Sequence, residues 1–249
     1  MTKDNWTRDE LILAFNLYCK TPFGRIHLRN PDIIRLAKAI GRTPSSVSWK
    51  LANFARLDPS LKSRNISGAT HGAKGEKEIW AEFSGNWDNL AYESERLASQ
   101  MIPGSVNLDA LPEGIDRPTL VQVRVNQGFF RSAVLAAYDL KCCITDLSVP
   151  QFLTASHIVP WAKDTCNRTD PRNGLCLNAL HDRAFDCGLI TVTPEYIVKV
   201  SPALECGASD KFGNATIRAF DGKPIRLPRR FQPARSFLKY HNEHVYVKS

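Results

Sequence analysis

The stretch FLTASHIVPWAKDTCNRTDPRNGLCLNALHDRAFDCGLI, residues 152–190, carries the clearest structural pattern in this chain of 249 residues. It begins with β-forming residues that lead into His157, and a polar loop over 163–173 separates them from a second apolar run at 175–177. Helical periodicity follows over 178–186. The alternation of short strands with helices predicts an α+β fold. Further short strands are predicted at 143–145, 189–193 and 197–200.

Three segments of this stretch resemble the motif of an HNH endonuclease domain. They are Ser156-His157-Ile158-Val159-Pro160-Trp161, Asn173-Gly174-Leu175, and Leu180 to Ile190. The likeness is greatest to the restriction-type HNH nucleases, in which an N-terminal helical region and a basic C-terminal tail also occur. It implies a ββα-metal nuclease core and a metal-dependent DNA endonuclease that leaves 5′-phosphate and 3′-hydroxyl ends.

His157 has the chemistry that the general base of such an enzyme needs. Neutral imidazole, with an ordinary pKa near 6.5, can take a proton from water close to neutral pH. His157 ends a predicted strand before a loop that contains proline, so one ring nitrogen can face solvent. The resemblance gives Asn173 the role of orienting the loop. The alternative for His157 alone is a histidine that packs against Trp161.

The resemblance also implies a divalent cation, Mg²⁺ or Mn²⁺, held by residues of the helix. Family members place a helical ligand nine residues after the loop asparagine, which selects Asp182. Asp186 lies one turn further on the same face, whereas His181 points about 100° away from Asp182 on an ideal helix. We therefore expect Asp182 as the first ligand and His181 as the second, with Asp186 as a ligand or a loop anchor.

Ser156 stands where many HNH sites have an aspartate or histidine ligand. Asp146, water or the substrate phosphate would then complete the coordination. The same residue supports an alternative function, a non-catalytic DNA-binding regulator that uses the HNH fold as a structural module.

Charge is distributed in three blocks, although the chain as a whole has a net charge of +8. Residues 1–65 hold 12 Lys and Arg against 5 Asp and Glu, a net +7. Residues 66–210 hold 12 against 18, a net −6, and residues 211–249 hold 9 against 2, a net +7. Two basic ends around an acidic middle favour a polyanionic partner at the ends and a cation in the middle.

The N-terminal block predicts three short helices that resemble a helix-turn-helix. Thr7 with Glu10 has capping-box spacing, and Asn30-Pro31 and Thr43-Pro44 each place a cap before a helix-initiating proline. Only Gly41 to Thr43 separates the second helix from the third. A helical bundle used for packing or dimerisation is the alternative. On the third helix we expect an acid-free face that contacts double-stranded DNA through Ser45, Ser46, Lys50 and Asn53. The exposed residues of this face are predicted to be Ser45, Ser46, Ser48, Trp49, Lys50, Asn53 and Arg56.

Four arginines are further candidates for phosphate contacts. Arg168 and Arg172 flank the proposed active site, where each could instead form a surface ion pair. Arg229 and Arg230 belong to the basic C-terminal block, whose phenylalanine and proline spacing favours an ordered wrap over the nuclease core rather than a solvated tail.

These observations predict four parts along the chain. They are a DNA-binding domain at 1–61, a linker and helical connector at 62–125 with a linker over 62–78, an HNH domain at 126–205 and a basic extension at 206–249. The seven cysteines include no CxxC pair, which argues against disulfides and a zinc ribbon. The absence of a membrane span or signal peptide predicts a cytoplasmic protein. Double-strand cutting by a nuclease with one site per chain suggests a homodimer.

Overall fold

The computed structural model describes residues 5–62, 74–101, 117–204 and 210–248. The chain divides into two compact units, Met1–Ala137 and Tyr138–Ser249. In its described part the first unit is helical, and the second combines helices with two small sheets. The predicted α+β class is confirmed. The four-part division stays a prediction; its boundary at 125/126 falls within one continuous helix.

The first unit begins with a capped helix, as its sequence predicts. The Thr7 hydroxyl accepts a hydrogen bond from the amide of Glu10, and the Glu10 carboxylate accepts one from the amide of Thr7. The described helices of this unit are α1 (Arg8–Lys20), α2 (Pro31–Ile40), α3 (Pro44–Ala55), α4 (Pro59–Lys62), α5 (Lys74–Phe83), α6 (Trp87–Met101) and α7 (Arg117–Ala137).

The predicted tight connection between α2 and α3 is also present. Gly41 ends α2 in a left-handed conformation at φ 67°, which a glycine adopts without steric cost. The Thr43 hydroxyl then accepts from the amide of Ser46, and Pro44 occupies the first position of α3. Local caps therefore explain why two helices form here with three residues between them.

The core of the first unit forms around α1. Phe15 is fully buried, and its ring lies 4.8 Å from that of Phe54, 5.2 Å from that of Trp80 and 6.1 Å from that of Trp87, measured between centroids. Edge-tilted aromatic contacts of this kind add to the free energy gained by burial. Helices far apart in sequence are thereby joined through one side chain of α1.

The linker predicted over 62–78 is wrong in its last part. Residues 63–73, including His71, lie outside the described residues, but α5 begins at Lys74. Glu76 is completely buried there. Its charge is compensated, since Oε1 pairs with Lys50 Nζ and accepts a hydrogen bond from Asn53 Nδ2 at 3.1 Å. Some of the charged residues that suggested a linker therefore belong to helix α5, and one of them forms a buried ion pair.

In the second unit, an antiparallel hairpin is followed directly by a helix. Residue 153 pairs with 178 and residue 157 with 174, so the hairpin ends at His157 on one strand and begins at Gly174 on the other. A second hairpin and two further helices complete the described part. The elements are β1 (Leu153–His157), β2 (Gly174–Asn178), α8 (Ala179–Asp186), β3 (Ile190–Val192), β4 (Val198–Val200), α9 (Lys211–Thr216) and α10 (Arg235–His244).

The strand predicted at 143–145 is wrong. These residues form a turn in which the amide of Asp146 donates to the carbonyl of Cys142, and the amide of Cys142 donates to the carbonyl of Leu147. Asp146 adopts φ 58°, which reverses the chain. The strand partner that β1 needs is instead supplied by β2.

The C-terminal segment packs against the hairpins of the second unit and is not a solvated tail. Leu238 of α10 is fully buried, and the Asn242 amide donates to the carbonyls of Val192 and Leu238, both at 2.7 Å. The amide of Val247 donates to the carbonyl of Gly188 at 3.0 Å. The expected ordered wrap is confirmed for the part of this segment that the structure describes.

The cysteines at 19, 142, 143, 166, 176 and 187 are all free thiols, and four of them are buried. No helix among the described residues is long and apolar enough to cross a membrane.

Candidate active site

His157 is the last residue of β1, and the loop that follows contacts its imidazole ring. Its Nε2 lies 2.9 Å from the carbonyl oxygen of Arg168, and its ring meets the ring of Trp161 edge-on at 5.4 Å. Because a carbonyl oxygen only accepts, Nε2 carries the proton of the neutral ring and the basic lone pair is on Nδ1. Burial lowers the pKa of His157, which favours this neutral form at neutral pH. The sequence did not single out the Arg168 carbonyl as the group that fixes the ring.

Asn173 holds the loop that encloses His157. Its Oδ1 accepts from the amide of Val159 at 2.8 Å, while its Nδ2 donates to the carbonyls of Val159 at 3.3 Å and Asn167 at 3.2 Å. The side chain is buried, so these bonds are made away from water and are costly to lose. One amide therefore joins both ends of the loop that lies between β1 and β2.

Two carboxylates of α8 face the same region as His157. Burial raises the pKa of Asp182, and the nearby Ser156 hydroxyl lowers it in part. Burial also raises the pKa of Asp186, as does the negative charge of Asp182. Asn178 caps the helix by accepting from the amide of His181 at 2.9 Å, which fixes where both carboxylates project. The two acids are thus close enough to repel each other when both are ionised.

A cavity of about 360 Å³ brings these groups together. His157, Asp182 and Asp186 all line it, as does the small side chain of Ser156. The loop residue Trp161 forms part of its wall. Three of the residues selected from the sequence, separated by up to 29 positions, therefore share one concave surface.

His241 and Val245, which the sequence did not identify, also line this cavity. His241 lies on α10 with its ring stacked on Phe185 at 3.7 Å between centroids. Its Nε2 lies 3.2 Å from the Phe185 carbonyl, and its Nδ1 lies 2.8 Å from the Thr191 hydroxyl. No local signal marks these residues, because they reach the cavity only through the packing of α10 on β3 and α8.

Burial lowers the pKa of His241 to about 4, which makes folding sensitive to acid. The unfolded chain binds this proton near pH 6.5 while the folded chain does not, so stability is complete above pH 6.5 and falls as the pH is lowered toward 4. The full effect is about 3 kcal/mol. Urea unfolding at pH 7 and pH 4.5 should show this loss, and a His241→Gln variant should lose less over the same interval.

The matched control is His244→Gln, because His244 is an exposed histidine on the same helix. It should keep the pH dependence of the wild type. An equal pH dependence in the wild type and His241→Gln would contradict the assignment.

His181 does not face the cavity, which corrects its selection as a metal ligand. The side chain is 1% exposed; its Nδ1 lies 3.1 Å from the Asn178 amide nitrogen and its Nε2 lies 2.7 Å from the Thr216 carbonyl. Its ring packs edge-on against Phe220. Both nitrogens bond within the protein, so the histidine is a structural one.

Asp146, considered as an additional ligand, is not among the residues that line the cavity, and it pairs with Arg226 at 2.8 Å. Arg168 directs Nε at the carbonyl of Trp161, 2.8 Å away, and its guanidinium lies over the Trp161 ring at 5.1 Å. Arg172 is exposed and pairs with the buried Asp170. Arg168 therefore stabilises Trp161, which lines the cavity, whereas the Arg172 side chain is exposed to solvent.

Three of the residues expected to contact DNA are buried, so their selection was wrong. Lys50 and Asn53 point into the first unit toward Glu76, with 8% and 4% exposure. Arg230 is completely buried beside Phe231. Ser45 and Arg229 are exposed, Arg229 pairing with Asp139 at 3.0 Å, and Ser46 is half-buried.

The donors of the cavity suit a hydrated hard cation better than a metal enclosed by protein. Within the described ranges, no group of three or more His, Cys, Asp and Glu side chains is arranged to hold a metal ion. Asp182 and Asp186 nevertheless offer two adjacent carboxylates on an open cavity. Mg²⁺ commonly binds in this way, through one or two carboxylates with water and substrate phosphate as its other ligands.

A hairpin is followed directly by a helix, and one histidine and two carboxylates of these elements line the same cavity. Residues 142–193 match the family model described as HNH endonuclease. The chain therefore contains an HNH endonuclease domain, which suggests nuclease activity in general. No curated protein matches the chain.

Proposed function

We propose that the chain is a metal-dependent endonuclease of the restriction type that hydrolyses phosphodiester bonds of double-stranded DNA. The observation that carries this proposal is the placement of His157, oriented by a backbone carbonyl, on the same cavity as Asp182 and Asp186. This combines a base for water with anionic groups for a cation, which is what phosphodiester hydrolysis requires.

In the proposed reaction, His157 Nδ1 takes a proton from a water molecule. The resulting hydroxide attacks the phosphorus and the bond to the 3′ oxygen breaks. The leaving 3′ oxygen takes a proton from a solvent water molecule, and His157 returns its own proton to solvent, so that the products are 5′-phosphate and 3′-hydroxyl ends. Asn173 and the Arg168 carbonyl keep the ring oriented throughout. Asp182 and Asp186 would hold Mg²⁺ or Mn²⁺, which when bound neutralises charge on the scissile phosphate and the leaving oxygen.

The two positively charged ends of the chain, residues 1–65 and 211–249, would supply the affinity for DNA. Exposed arginines such as Arg172 and Arg229 are candidates for phosphate contacts in the second unit. The helix-turn-helix-like pair α2 and α3 would hold the duplex in the first unit. A homodimer would allow both strands to be cut by a chain with one cavity.

Plasmid cleavage tests metal dependence directly. Supercoiled plasmid should be nicked or linearised in Mg²⁺ or Mn²⁺, and EDTA should abolish the reaction until excess metal restores it. Asp182→Asn should reduce the rate about a hundredfold or more, because it removes a carboxylate that stabilises charge through the cation. Glu195→Gln provides a control, since Glu195 is an exposed carboxylate of the second unit and is not among the cavity residues. Cleavage that persists in EDTA would contradict the role of the cation.

A non-catalytic DNA-binding regulator is the second candidate. It is favoured by Ser156 at a position where many HNH sites have a ligand, and by the lack of a three-donor metal cluster among the described residues. This candidate predicts duplex binding without nicking under any metal condition. Nicking that disappears with EDTA and with His157→Ala would eliminate it.

A further inference from the structure

Trp49 is the most exposed large aromatic side chain described in the first unit. It lies on α3 with 62% of its surface exposed, while Val47, Leu51 and Phe54 of the same helix are completely buried. The core side of α3 is therefore filled without it. Single apolar side chains are common on protein surfaces, and Trp49 is distinguished by its size and by the basic segment to which it belongs.

The neighbours of Trp49 on its helix face are small. Ser45 and Ser46 precede it by four and three positions and are exposed and half-buried, and Ala52 follows it by three positions and is half-buried. Residues three and four apart share a helix face, and the remaining neighbour of this kind, Asn53, is buried and donates to Glu76. Small side chains also let another molecule approach the helix backbone closely. The indole is therefore the one large exposed side chain of α3, a helix that the structure describes throughout.

The charge of the sequence segment that contains α2 and α3 indicates the type of partner. Between positions 20 and 56 the sequence holds eight Lys and Arg and a single acid, Asp32. Four of these cations are exposed, namely Arg25, Arg29, Arg35 and Lys38. Two others are already neutralised inside the unit, because Arg42 pairs with Glu10 and Lys50 with Glu76. A strongly basic exterior complements a phosphate backbone.

We propose that Trp49 is the principal DNA-contacting residue of the first unit. The exposed face of α3 lies in the major groove of double-stranded DNA, with the indole against apolar base edges such as thymine methyl groups. The exposed cations of α2 and of the segment before it contact the phosphates. This inference rests on the proposed function for its substrate, and it replaces Lys50 and Asn53 as the contacts expected from the sequence.

Duplex binding by the full chain tests the proposal. Fluorescence anisotropy with a labelled duplex of mixed sequence, in EDTA so that the strands stay intact, should show that Trp49→Ala raises Kd roughly ten- to hundredfold. Trp49→Phe should recover most of this loss. The slope of log Kd against log salt should stay that of the wild type, since the slope counts neutralised phosphates and an indole neutralises none. Arg35→Ala, in contrast, should reduce the slope.

Tyr92→Ala is the matched control. Tyr92 is an exposed aromatic residue of the same unit, 41% exposed, but it lies on α6 beside Glu93 and near Glu95. Its removal should leave Kd unchanged. Trp49→Ala with wild-type affinity would overturn the proposal, and so would an equal loss in Tyr92→Ala.

Two further measurements separate the alternatives. If Trp49→Ala dissociates an oligomer in sedimentation experiments while duplex affinity is unchanged, the face binds a second copy of the chain and the proposal is wrong. Failure of the endonuclease function would appear elsewhere, as intact plasmid with the wild-type protein in Mg²⁺ and Mn²⁺. In that event a raised Kd for Trp49→Ala would still support the DNA contact.

Discussion

Replacement of His157 by alanine is expected to lower the rate of DNA cleavage by about a hundred- to ten-thousandfold. The variant loses the group proposed to take a proton from water, while Asp182 and Asp186 remain in the cavity. DNA affinity should be unchanged, because the basic surfaces are untouched. Single-turnover cleavage of plasmid, together with duplex anisotropy, separates the two effects.

The pH profile adds a readout that a purely structural histidine would not produce. Burial lowers the pKa of His157, so the neutral base should persist below pH 6.5. Wild-type cleavage should therefore decline in acid with a midpoint under 6.5, and this decline should be absent from the residual activity of His157→Ala. Added imidazole should restore part of the rate.

His244→Ala is the control for general effects of removing a histidine from the second unit, since His244 is exposed on α10. It should cleave as the wild type does. Full activity in His157→Ala would eliminate this residue as the base. Failure of the wild type itself to cleave in Mg²⁺ and Mn²⁺ would favour the regulator hypothesis.

Replacement of Gly188 by alanine is expected to destabilise the second unit by about 2–5 kcal/mol. Gly188 follows α8 with φ 70°, a left-handed conformation that costs a residue with a side chain about 1–2 kcal/mol. A Cβ there would also lie 2.1 Å from the carbonyl oxygen of Val245. That backbone cannot withdraw easily, because Val247 bonds to the Gly188 carbonyl and to the Ser201 hydroxyl.

Gly222→Ala isolates the effect of the clash. Gly222 has φ 73°, almost the same as Gly188, but a Cβ on it meets nothing within 4 Å. Urea unfolding should therefore show the conformational cost alone in Gly222→Ala and a clearly larger loss in Gly188→Ala. Equal losses would contradict the close packing of the C-terminal segment on Gly188. Because Val245 lines the cavity, cleavage should fall in Gly188→Ala as well.

The chemistry of the cavity was largely accessible from the sequence because the relevant residues lie in one short region. His157 ends a strand, Asn173 immediately precedes the neighbouring one, and Asp182 and Asp186 are separated by one helical turn. Strand pairing and helical periodicity are local rules, and the resemblance to HNH endonucleases selected Asn173 and Asp182 among the residues of these elements. The local rule failed at 143–145. The residues there suggested a strand, but Asp146 adopts a positive φ and the segment forms a turn.

The roles of individual polar side chains were less predictable. His181 and Asp182 are adjacent in the helix, yet one is enclosed by Asn178 and Thr216 while the other lines the cavity. On α3, Lys50 carries the charge expected of a DNA contact, but Glu76 draws it into the interior. A polar residue binds whichever complementary group tertiary packing brings near it, and the sequence pattern does not encode that choice.

Local sequence thus specified the helices of the first unit, the hairpin that ends at His157, and the helix that presents Asp182 and Asp186, because caps, prolines and periodic apolar residues act over a few positions. Tertiary packing alone decided which side chains remain in water and what closes the cavity. His241 and Val245 come to it from the other end of the second unit, and Trp49 stays exposed while Lys50 beside it is buried. Such outcomes depend on contacts between segments far apart in the chain, which no local rule determines.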